Sequence, residues 1–172
     1  MEIIQKDKQT SKALGSGLRH GSRESLRRRR GIFGLFLAAS ASMSVIALYQ
    51  LGILRRVPEP ALPGFDSENI TGSAKAYSLI ATPDAVLAMG SYAVTMTLAA
   101  MGSPERANEQ PLVPIALAAK IGFDAIVAAK YTLDEWRGHR ALCFWCLLAT
   151  AATFASLPLV FPEARTALRR LT

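Results

Sequence analysis

The chain is expected to be an all-α integral membrane bundle of four helices. Three observations predict this. Four apolar runs follow one another, each close to the ~20 residues that a bilayer core requires. In a chain of 172 residues, 51% of them hydrophobic, the links between these runs are too short for a further domain. The charge is gathered at the chain ends, and the net value is +7. Backbone polar groups in lipid must be satisfied within the segment, so apolar runs of this length read as helices.

Residues 1–30 form a basic tail with nine Lys/Arg against three acids, ending in Arg27-Arg28-Arg29-Arg30. A basic tail can signal nucleic acid. Here it runs straight into apolar sequence, so a cytoplasmic membrane flank is the simpler reading and no nucleic-acid partner is expected. The first span is expected over residues 31–54, with no charge inside it. Its apolar run continues well past Ala39-Ser-Ala-Ser42, too long for a cleaved signal segment, and a retained helix is expected. Residues 57–64 carry three prolines and cannot continue a helix. The second span is expected over 79–101, with Thr82 as cap and Pro83 at the first helical position. Gly102-Ser103-Pro104 ends it. The third, over 111–133, is less clean because it holds Lys120, Asp124 and Lys130. The fourth covers 141–161, with Pro158 and Pro162 closing it. The membrane domain is thus residues 31–162, and 163–172 is a second basic tail.

An even number of spans puts both basic tails on one side, and the basic excess makes that side cytoplasmic. Loops 55–78 and 134–140 then face outward, although each carries arginines of its own.

Cys143 and Cys146 are the only cysteines. They stand three apart where the fourth span begins, so a helix puts them on one face. A helix N-terminus favours thiolate, the reactive form, and His139 and Arg140 add positive charge nearby. Dithiol chemistry is the reading that this pattern favours. Two buried thiols packed as small apolar groups are the plain alternative. Half a zinc site would need a second Cys/His pair, which the chain lacks, so no metal is expected. Lys120 and Asp124 stand at i,i+4, as a buried ion pair or as part of a proton path.

The segment Ala141-Leu-Cys143-Phe-Trp-Cys146-Leu-Leu resembles the redox motif of the vitamin K epoxide reductase family. Ser73 to Tyr92, with Thr82-Pro83-Asp84 and Gly90 inside it, is similar to that family's second-helix region. The likeness covers roughly residues 30–162, with the order and spacing of the spans. It implies a four-helix bundle around a quinone of the ubiquinone or menaquinone type. It implies a dithiol that is oxidised by the quinone and passes disulfides to a periplasmic thioredoxin-like protein. Cys146 would then face the ring and Cys143 would exchange with the donor. Asp84 and Thr150 fall where polar contacts to a quinone are found, and Tyr92, Phe144 and Trp145 are candidates to line an apolar pocket. In a bacterium this means the inner membrane, with both termini cytoplasmic and the dithiol at the periplasmic face.

The chain departs from the family in one respect. Members carry a second cysteine pair in the loop after the first helix, which relays electrons. Residues 55–78 hold none, and the place of the nearer one falls at Ser67 or Glu68. The expected function is a membrane thiol:quinone oxidoreductase. The alternative is a non-catalytic membrane subunit or anchor with the same bundle.

Overall fold

The computed structural model describes residues 10–13, 24–60, 63–73, 76 and 82–171. From residue 24 onward it holds α1 (Glu24–Gln50), α2 (Ser67–Thr71), α3 (Asp84–Ala100), α4 (Arg106–Glu109), α5 (Leu112–His139) and α6 (Phe144–Leu171). No strand occurs among the described residues. Helices α1, α5 and α6 are long and apolar enough to cross a membrane. At 17 residues, α3 is shorter, about 25 Å at the usual helical rise. The fold is an all-α membrane bundle.

Helix α1 is its centre. Ile32, Phe36, Ala39, Met43 and Ile46 are all buried. They recur at alternating steps of four and three, which keeps one stripe of the helix facing its neighbours. The stripe packs against α3 and α6, and α5 packs on α6. The Phe36 and Tyr92 rings meet edge to face at 5.4 Å. Small residues let the backbones approach, as membrane helix interfaces require. A Cβ on Gly31 would come within 3.2 Å of Leu159. The α3–α5 contact is the sparser one, and a cavity lies beside it.

The arginine run is not simply a free basic tail. Helix α1 begins before it, and Arg29 is buried. Its guanidinium donates to the carbonyls of Ala99 (2.9 Å), Met101 (2.6 Å) and Ser103 (3.0 Å) at the end of α3. Arg106 is fully buried beside it, bonded to Glu163 at 2.8 and 3.0 Å and to the carbonyls of Leu98 and Met101. Two cations thus satisfy carbonyls that a helix C-terminus leaves without partners. At this end the starts of α1 and α5 meet the ends of α3 and α6.

Two local expectations change. Pro83, not Thr82, takes the cap position of α3, because its ψ of 128° keeps it outside the helix. Pro158 and Pro162 do not close α6, which runs through both to Leu171. Membrane helices tolerate proline where neighbouring helices and hydroxyls support the backbone. Here Thr153 and Ser156 bond back to the carbonyls of Ala149 and Thr153, and Val160 is buried in the core.

Candidate functional site

The site is built where α6 begins. Leu142 pairs with the 64–66 segment, its N–H donating to the Gly64 carbonyl (2.9 Å) and its carbonyl accepting from Asp66 (3.2 Å). Cys143 follows and stands at the cap position of α6. Its sulfur accepts the N–H of Cys146 at 3.2 Å, as a side-chain cap does. Phe144 N–H is held by Ser67 Oγ at 3.1 Å. The N-terminal amides of α6 are thus turned toward the first sulfur and a hydroxyl. Both thiols are free. Cys143 is completely buried, and Cys146 is partly accessible.

A cap of irregular chain covers this end. Trp145 Nε1 donates to the Pro58 carbonyl at 2.7 Å. Phe144 packs edge to face on both Phe65 (5.7 Å) and Trp145 (5.5 Å). Glu59 accepts from Ser67 N–H (3.2 Å) and from its hydroxyl, and Glu68 holds the N–H of Val57 at 3.0 Å. Asp66 caps the short α2 through the N–H of Asn69.

Below the cap lies a cavity of about 410 Å³, within the range of small-molecule sites. Its wall takes Met43 and Ile46 from α1 and Cys146, Ala149 and Thr150 from α6. Helix α3 adds Asp84, Ser91 and Tyr92, and α5 adds Phe123, Asp124, Tyr131 and Glu135. The lining is mainly apolar with a few convergent polar groups, which suits a flat apolar ring bearing carbonyls.

The seven residues singled out in the sequence divide into two groups. Cys146, Asp84, Tyr92 and Thr150 meet on the cavity wall. Cys143 adjoins it from above through its bond to Cys146. Phe144 and Trp145 are not among the lining residues, since helix geometry turns them toward the cap. The Lys120–Asp124 pair closes at 2.6 Å and joins α5 to Ser91 and Thr95 of α3. Residues 74, 75 and 77–81 and the side chain of His139 lie outside the described ones.

Two residues of the site, Gln50 and Glu135, were not anticipated, and a third, Ser67, was marked only as the place of a missing cysteine. Gln50 Nε2 donates to Asp84 Oδ1 (2.7 Å) and the Thr71 carbonyl (3.2 Å), tying α1, α2 and α3 together. Ser67 holds α6. Glu135 accepts the N–H of Cys143 at 3.3 Å because α5 runs on through residue 139 and brings the carboxylate alongside. A polar residue ending an apolar run is the only local sign of Gln50, and nothing local marks the contacts that Ser67 and Glu135 make with the start of α6.

A buried dithiol at a helix start, above an apolar cavity in a membrane bundle, defines a class: a membrane oxidoreductase built on a four-helix scaffold. The model of the vitamin K epoxide reductase family matches residues 30–161, most of the chain, and the protein belongs to that family. No curated protein and no solved structure is significantly similar to the chain.

Proposed function

We propose that the protein is a thiol:quinone oxidoreductase that makes disulfides for export. One observation carries this reading: Cys146 stands on the wall of an apolar cavity of about 410 Å³ while Cys143, bonded to it, stands outside. Asp84, Tyr92 and Thr150 would hold a quinone of the ubiquinone or menaquinone type there. When bound, the quinone supplies a two-electron acceptor. Cys143 would exchange with a periplasmic thioredoxin-like protein.

The site faces the periplasm in this reading, with both termini cytoplasmic in a bacterial inner membrane. Two features favour that orientation. Residues 24 and 171 lie at the same end of the bundle, and that end carries Arg27 to Arg30, Arg106, Arg165, Arg169 and Arg170 against the four arginines of the other end. The cap and the dithiol lie at the other.

The second reading, a non-catalytic subunit, is favoured by one fact. Ser67, where a relay thiol is expected, is buried and cannot exchange disulfides. The test is the redox state of the two cysteines in isolated membranes, read with a mass-shifting thiol reagent. Oxidation of a reduced pair on adding quinone, lost in Cys146→Ser, supports catalysis. A pair that quinone leaves unchanged means the non-catalytic subunit.

A further inference from the structure

The dithiol gives up two protons for every disulfide formed, inside a largely apolar cavity. Some group must take them. Three carboxylates share the cavity wall with Cys146: Asp124, which is paired with Lys120, and Asp84 and Glu135. Asp84 is engaged by Gln50 at 2.7 Å and stands in the first turn of α3, where the helix dipole holds a negative charge in place. Glu135 differs from it in meeting the dithiol segment directly.

Glu135 meets the peptide of Cys143 and shares the cavity wall with Cys146. Its Oε2 accepts the peptide N–H of Cys143 at 3.3 Å, and its side chain lines the cavity that Cys146 lines. Like Asp84 and Tyr131, it also borders a second, smaller pocket of about 40 Å³, which Ile70, Ser73 and Asp134 help to line. That is room for water among polar groups. A carboxylate reaching both spaces can exchange protons between the thiols and the bundle's outer end.

Of the other titratable groups on the cavity wall, Asp84 and Tyr131 reach the smaller pocket too, and neither meets the Cys143 peptide as Glu135 does. Asp124 is held by Lys120 on α5, and Lys130 pairs with Asp134. Tyr92 lies two turns into α3 and Tyr131 one turn before Glu135 on α5. Helix α1 contributes only Met43 and Ile46, which do not titrate.

We propose that Glu135 is the proton carrier of the dithiol. This rests on the oxidoreductase reading above. As the pair is oxidised, two S–H bonds break, one S–S bond forms, and two electrons leave to the quinone. Glu135 takes up each thiol proton in turn on its carboxylate and releases it to a quinone oxygen. Two protons leave the sulfurs and two reach the quinone oxygens, so the carboxylate ends as it began.

The test is Glu135→Gln, which keeps the carbonyl that accepts Cys143 N–H but cannot carry a proton. Two quantities are read in membranes. One is the rate at which added ubiquinone-1 or menadione oxidises the pair. The other needs no quinone: the pH profile of Cys146 alkylation by a neutral maleimide. The expected result is an oxidation rate lower by about 100-fold, typical for removal of a general acid–base group. The pH profile of alkylation should differ from that of the unmodified protein. Glu135→Asp should restore both in part, and Asp134→Asn, on the smaller pocket alone, should change neither much. An oxidation rate within threefold and an unchanged alkylation profile overturn the proposal. So does loss of both Glu135 variants from the membrane, since the residue is then a structural tie. If the unmodified protein is not oxidised by quinone, it is the oxidoreductase reading that fails, and the alkylation profile still decides whether Glu135 and Cys146 share a proton.

Discussion

Ser67 Oγ lies 3.1 Å from the peptide nitrogen of Phe144 and accepts its hydrogen. The loop residue standing where a relay thiol is expected therefore holds the dithiol helix by a hydroxyl. Its side chain is fully buried, and Glu59 fixes it from the other side. The loop has kept a position against the dithiol without the means to exchange electrons with it.

Ser67→Ala removes that acceptor and leaves a buried N–H without a partner. The expected cost is about 1–3 kcal/mol, the usual penalty for such a group. It is read as a lower thermal midpoint in detergent. Cys143 alkylation should also accelerate, because α6 is less firmly covered. An unchanged midpoint would mean that the hydroxyl does not hold the helix.

The cap is also pinned by Trp145. Trp145→Phe keeps the ring contact with Phe144 but loses the bond to the Pro58 carbonyl at 2.7 Å. A net hydrogen bond is worth about 0.5–1.5 kcal/mol. Stability should change little, while labelling of the buried Cys143 by a bulky thiol reagent should rise several-fold. Equal labelling would show that the cap opens elsewhere.

The two sulfurs should behave differently toward a thiol-protein donor. Cys146→Ser leaves Cys143 able to form a mixed disulfide that cannot resolve, and the adduct should accumulate on a non-reducing gel. Cys143→Ser should trap none. Adducts of equal amount from both variants would reverse the proposed roles.

At the opposite end, Arg106 and Glu163 form a buried pair whose side chains are 0% and 7% exposed. Removing one partner strands the other charge, at a cost of about 3–5 kcal/mol. Arg106→Ala and Glu163→Ala should each sharply reduce folded protein recovered in mild detergent. Arg106→Met with Glu163→Leu should recover much of it. If the double variant is worse than either single one, the pair is not coupled as its geometry indicates.

Filling the cavity separates ligand binding from thiol chemistry. Ala149 is small, buried and on the cavity wall one turn from Cys146. Ala149→Phe should abolish oxidation by quinone while leaving alkylation of Cys146 within a few-fold of the unchanged protein. Full quinone activity would move the quinone to another site.

Much of this molecule is written locally. Four apolar runs, their prolines and their flanking charges suffice for an all-α membrane bundle, because hydropathy and backbone satisfaction act within a single segment. Cys143 and Cys146 declare themselves by spacing, and the resemblance carried by their neighbours points to the family. What only the packing decided involves partners far apart in the chain. Arg29 looks like one of four equivalent tail charges, and only the proximity of α3's last carbonyls makes it a buried cap. Pro158 and Pro162 read as breakers, yet α6 runs on because its neighbours support it. Ser67 meets Phe144 across 77 residues, and Gln50 meets Asp84 across 34. Glu135 is only eight residues from Cys143. Their contact still depends on α5 continuing to residue 139 and the chain then turning back. Helix periodicity and hydropathy are properties of a window of sequence. Which polar group a buried amide or thiol finds is a property of the assembled helices, because desolvation forces each such group to take whatever partner the packing brings within reach.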